Sequence, residues 1–192
     1  MRRILTMAAG MACAMTMFAG SGMAYDIDPL TRQPLPTGEA LSPKATAIPR
    51  EVVSFSGYQP PGTIVVAARE RRLYYVLGGG QAIRYGVGVG RPGFEWGGVK
   101  TITRKAEWPG WTPPPQMLKR RPDLPRHMKG GPNNPLGARA LYLGSSLYRI
   151  HGSNEPETIG QAVSSGCIRM LNDDVIDLYD RVHVGTRVVV QR

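Results

Sequence analysis

From Gly62 onward the chain breaks into short runs of β-branched and aromatic residues separated by glycine turns. Thr63 to Ala67, Arg72 to Leu77 and Ala82 to Val89 are three such runs. Gly78-Gly79-Gly80, between the second and third, is a hairpin signal, because glycine takes the positive φ of a tight turn without steric cost. Further runs follow at Ala138 to Leu143, Leu147 to Ile150 and Arg187 to Val190. Helical signals are sparse. One short helix is expected near Glu157 to Val163. A better one starts at Asn172 as N-cap, carries Asp173 and Asp174 where the helix dipole favours them, and stops at Gly185. The sum is a mainly β domain with one or two short helices.

The flanks differ in texture. Met1-Arg2-Arg3 precedes an uncharged run from Ile4 to Gly20, and Gly22 and Ala24 are small residues ahead of the first acid, Asp26. A basic start, an apolar stretch and small residues at −3 and −1 form a secretory signal, so residues 1–24 are expected to leave by cleavage after Ala24. The run is shorter and more interrupted than a spanning helix prefers, so cleavage, with membrane contact only transient during export, is favoured over the alternative of an uncleaved anchor. Residues 25–60 are proline-rich and read as an arm or linker, leaving 61–192 as one domain. Lys105 to Asn134 is a long weakly periodic loop with Trp108, Trp111 and the cluster Lys119-Arg120-Arg121; two tryptophans argue that it is ordered.

The net charge of +10 favours anionic surfaces such as cell wall. An exported chain without a basic-aromatic recognition motif is not expected to bind nucleic acid. Gly86, Gly88 and Gly90 do not make a dinucleotide fingerprint, because Arg91 stands where the last glycine belongs and no helix follows. One cysteine beside one histidine cannot supply the three or four ligands zinc needs, and no cofactor is called for. No serine is followed three residues later by lysine, so a serine acyl-enzyme of the penicillin-binding kind is unsupported.

Of two cysteines, Cys13 lies in the leader, so Cys167 is alone in the exported chain. A lone thiol in an oxidising compartment is an intermolecular bridge, a reactive group or an inert buried one. Its neighbours favour reactivity. His151 ends a strand and can serve as base, while Gly166 leaves room for backbone N–H groups beside the sulfur, as an oxyanion hole requires. Arg169 adds charge that favours thiolate or holds a substrate carboxylate. His127 and His183 read as surface histidines.

His151-Gly152-Ser153, then Ser164-Ser165-Gly166-Cys167-Ile168-Arg169-Met170 and Asn172, resemble the signature of the L,D-transpeptidase (YkuD-type) catalytic domain. The likeness reaches back through Asn134-Pro135-Leu136-Gly137 to Gly62, covering roughly residues 60 to 191. That resemblance implies a sandwich- or barrel-like β domain with a long capping loop, contributed here by residues 105–134. It implies that Cys167 attacks the third residue of a peptidoglycan stem tetrapeptide, forms a thioester, releases D-Ala and passes the acyl group to an amine. His151 would activate the thiol, the Gly152 carbonyl would fix the imidazole tautomer, and N–H groups around Ser165, Gly166 and Cys167 would hold the oxyanion. Arg169, Ser164, Tyr148 and Trp111 are the substrate-binding candidates, with loop support as the other duty open to Arg169. Stem peptides are the expected partners, with an outer-membrane lipoprotein as a further acceptor, and the periplasm or cell envelope is the expected location. Alternatives are a wall enzyme that hydrolyses such links, one that attaches or detaches a lipoprotein, and a silent wall-binding protein. Sortases share the order His, Cys, Arg, but their Arg lies far downstream. Papain-like enzymes place Cys before His.

Overall fold

The computed structural model describes residues 48–192. The expected leader and the first part of the proline-rich arm lie outside the described residues. The last part of that arm is a strand: β1 (Glu51–Ser54) pairs antiparallel with β4 (Gln81–Gly86). Arg50 reaches Asp174 and Asp177 at 3.8 and 3.5 Å, and Ile48 packs so close to Gly86 that a Cβ there would lie 2.8 Å from it.

Among the described residues nine strands join in the order β1-β4-β3-β2-β11-β6-β7-β8-β10. The remaining members are β2 (Ile64–Ala67), β3 (Arg72–Gly78), β6 (Gly98–Glu107), β7 (Arg139–Leu143), β8 (Arg149–His151), β10 (Ile168–Arg169) and β11 (Arg187–Gln191). A two-stranded parallel pair, β5 (Val89–Gly90) with β9 (Ala162–Ser164), lies beside them. The triple glycine turns β3 into β4 with φ of +97°, +57° and +71°. β2, buried along its whole length, pairs with β3 on one side and β11 on the other, where neither face meets water.

β6 was not expected from sequence. Only Ile102 in it is fully buried, so its alternation carries little hydrophobic signal. It changes partner halfway: residues 98–101 pair with β11 and 102–107 with β7, joining the two halves of the sheet. The helix expected near 157–163 is instead one 3₁₀ turn, Pro156–Thr158, followed by β9. Gly160 at φ +87° ends it there. The 105–134 loop is shorter and more structured than expected: β6 runs to Glu107, and α1 (Pro115–Arg120) lies within.

α2 (Asn172–Arg181) packs Val175 and Leu178 into the core under β7. Fully burying one such side chain is worth about 1.5–3 kcal/mol. Leu171, not Asn172, occupies the cap position, and it makes no side-chain cap bond. Among the described residues no helix is long and apolar enough to cross a membrane.

Candidate active site

β8 and β10 run parallel, with Ile168 opposite Ile150 and Arg169 opposite His151. Side chains alternate along strands, so Ile150 and Ile168 point together into the core, at 0% and 2% exposure. The residues one place either side, Arg149, His151, Cys167 and Arg169, therefore share the opposite face. They line one cleft of about 530 Å³ with Ser164, Ser165, Tyr148 and Trp111. The core requirement of two isoleucines is what sends thiol and imidazole into the same groove.

Cys167 sits on a turn that the chain holds tightly. The Ser164 hydroxyl donates to the Cys167 carbonyl at 2.6 Å and accepts from the Gly166 N–H at 3.0 Å. Gly166 has φ +103°, and a Cβ on it would lie 2.6 Å from the Tyr148 ring. Trp96 donates from Nε1 to the Gly166 carbonyl at 2.7 Å and stacks on Tyr148, centroids 4.5 Å apart and planes 2° from parallel. Arg91 reaches the Ser165 hydroxyl at 3.2 Å. Ser164 is buried with its hydroxyl engaged inside the turn. The Gly166 N–H is likewise engaged by Ser164.

His151 Nδ1 lies 2.5 Å from the Gly152 carbonyl. A carbonyl only accepts, so Nδ1 carries the hydrogen and Nε2 is left as the basic nitrogen. Burial holds His151 down to about 3, with the charges of Arg169 and Arg149 adding to the effect. The imidazole is therefore neutral at ordinary pH. Burial also pushes the Cys167 thiol above its usual value, against the pull of Arg149 and Arg169. Both shifts favour the uncharged forms, and the thiol donates to the Leu147 carbonyl at 3.7 Å.

Asn172 fixes the loop behind the histidine. Its Oδ1 accepts from the Ala138 N–H at 2.9 Å, and its Nδ2 donates to the Ser153 carbonyl at 3.1 Å. Gly137 and Gly152 leave it room: a Cβ on either would sit 2.2–2.3 Å from Asn172 Oδ1. The helix cap read from sequence is in fact this clamp.

Arg169 donates to Glu155 at 2.6 Å and to Thr158 at 3.3 Å, so the contacts it makes are those of loop support. Across the cleft, Trp111 bridges Met128 in both directions at 2.8 Å, closing the loop that carries α1. Trp96, Arg91 and Arg149 escaped the sequence reading. Trp96 and Arg91 lie far along the chain from the motif, whereas Arg149 stands within it and could have been found from strand alternation with His151. The cleft is lined by Arg120, Arg149 and Arg169 and by no acid. Among the described residues no three His, Cys, Asp or Glu side chains gather to hold a metal.

Comparison with known proteins sets this site in context. The family model for the L,D-transpeptidase catalytic domain, YkuD, matches residues 61–190. The probable L,D-transpeptidase ErfK/SrfK of Escherichia coli (strain K12) is 44% identical over 136 residues, 66% of this chain and 43% of that protein. The chain thus spans less than half the length of that curated relative. The catalytic domain of an E. faecium L,D-transpeptidase acylated by ertapenem has a TM-score of 0.53 at 21% identity, covering 70% of this chain and 100% of that one. A crystal structure described as a probable carnitine operon oxidoreductase from Brucella melitensis is 47% identical, with a TM-score of 0.50, over 74% of this chain and 93% of that one.

Proposed function

The chain belongs to the L,D-transpeptidase (YkuD) catalytic-domain family, and on that premise we propose that it is a cysteine acyltransferase acting on peptidoglycan stem tetrapeptides. The observation that carries this reading is the shared face of β8 and β10, with Cys167 and His151 in one cleft and the Gly152 carbonyl setting the imidazole tautomer.

His151 Nε2 takes the thiol proton as Cys167 Sγ attacks the carbonyl of the third stem residue. The oxyanion rests on the N–H groups of Ser165 and Cys167. Collapse breaks the C–N bond to the terminal D-Ala, whose amine takes the proton from His151, and leaves a thioester. An incoming amine, deprotonated by His151, then displaces the sulfur. The three arginines lining the cleft suit an acidic stem, and the basic-apolar-small leader supports export to the periplasm or envelope.

The oxidoreductase description of the Brucella melitensis relative finds no support in this chain's glycines. A Cβ at Gly88 would lie 2.8 Å from the Thr158 carbonyl oxygen, and one at Gly90 2.4 Å from that of Phe94. These glycines are filled in by backbone and offer no cradle for a phosphate.

The test is incubation with tetrapeptide-rich peptidoglycan and identification of products. Released D-Ala with new cross-links supports transfer between stems. Tripeptide alone makes water the acceptor, and a stem-linked lipoprotein makes that the acceptor. No D-Ala release overturns the reading.

A further inference from the structure

A single row of side chains crosses the sheet to the sulfur. β6 Arg104 is the Cα partner of β7 Tyr142, and Tyr142 is the partner of β8 Arg149. Cys167 stands one place before Ile168, as Arg149 stands one place before Ile150, and the Arg149 side chain hydrogen-bonds the thiol. The row is held by its aromatic member: the Arg104 guanidinium lies 3.6 Å from the centroid of Tyr142 and that of Arg149 lies 5.2 Å from it. Such stacking restrains a long side chain without neutralising its charge.

Two arginines share the face of the thiol, and they differ in one respect. Arg169 is compensated by Glu155 at 2.6 Å. Arg149 forms no ion pair with any described carboxylate, and its Nε is buried without a hydrogen-bond partner. The titratable and charged groups lining the cleft with Cys167 are Tyr148, His151 and Arg149 at β8, Arg169 from β10, paired with Glu155, and Arg120 from α1. None of the cleft-lining groups is acidic. An uncompensated guanidinium beside a thiol lowers the cost of forming thiolate.

We propose that Arg149, held by Tyr142, is the residue that receives the negative charge placed on Cys167 Sγ when His151 removes its proton. Resting on the cysteine-nucleophile reading above, the assignment concerns only one step. The S–H bond breaks, the proton passes to His151 Nε2, and the electron pair left on sulfur faces the guanidinium. Of the favourable influences on that thiolate, the charge of Arg149 is the largest, ahead of Arg169.

The test needs no peptidoglycan. Alkylation of Cys167 in the full chain is followed against pH with neutral iodoacetamide and anionic iodoacetate, for wild type, Arg149→Lys, Arg149→Met and Tyr142→Leu. Arg149→Met is expected to move the alkylation inflection up by about one pH unit, which is about tenfold less thiolate at a fixed pH below it. It is also expected to lose several-fold in the ratio of iodoacetate to iodoacetamide rates. Arg149→Lys keeps most of both. Tyr142→Leu, which retains the charge but frees the side chain, falls between them and guards against a folding defect in the methionine variant. An unchanged inflection and ratio in folded Arg149→Met overturns the assignment. If these rates respond while wild type releases no D-Ala from tetrapeptide, the transferase reading fails and the assignment to Arg149 stands.

Discussion

Gly166 and Tyr148 meet so closely that a methyl group on the glycine would lie 2.6 Å from Cε1 of the ring. The contact belongs to a stack in which Trp96 lies flat on Tyr148 and donates to the Gly166 carbonyl. The sulfur one residue on is thus placed by an aromatic wall from two distant segments. Gly166→Ala meets both a positive φ and that ring, and a strained residue of this kind costs about 1–3 kcal/mol. Thermal unfolding is expected to register that loss, and iodoacetamide labelling of Cys167 to slow. Wild-type behaviour in both would mean that the wall does not hold the turn.

Asn172 can be tested as a clamp against its role as a cap. Asn172→Ala removes partners for Ala138 N–H and the Ser153 carbonyl, which leaves each group at a cost of about 1–3 kcal/mol. Asn172→Ser, a good capping residue, is expected to restore little, because neither atom of the clamp is rebuilt. Full recovery of melting temperature in the serine variant would favour the cap.

The buried histidine gives a pH signature. An unfolded His151 takes a proton as pH falls through its ordinary 6.5, whereas the folded one refuses it until about 3. The unfolded state therefore binds more protons in that window, and stability falls as pH drops through it, by at most about 1.4 kcal/mol per unit. Denaturant titrations from pH 7 to 4 are expected to show a shallower slope for His151→Gln than for wild type. Parallel slopes would place the histidine in water.

The loop carrying α1 caps the cleft but contributes no buried residue from its helix. Replacing residues 112–127 by a short glycine linker, with Trp111 and Met128 retained, is expected to raise KM for tetrapeptide and leave the melting temperature nearly unchanged. Unaltered KM and kcat would remove any role for the loop in binding.

Much of this was legible in the residues. The runs at 63–67, 72–77, 138–143 and 187–190 correspond to β2, β3, β7 and β11, because strands with buried apolar residues announce themselves. β6 did not, since its faces are mostly exposed and its purpose is to change partners. Likewise the thiol, the imidazole and the loop of Gly152 could be picked out from local spacing. The supports could not. Trp96, Arg91 and the clamp of Asn172 act across long stretches of chain, whereas Arg149 was within reach through strand alternation with His151.

Intact-mass spectrometry of the protein mixed with a purified stem tetrapeptide tests the central claim most directly. Wild type is expected to gain the mass of the tetrapeptide less its terminal D-Ala, mapped by digestion to Cys167 and cleaved by hydroxylamine, while Cys167→Ala gains nothing and stays folded. An adduct on another residue, or D-Ala release undiminished in folded Cys167→Ala, would contradict it.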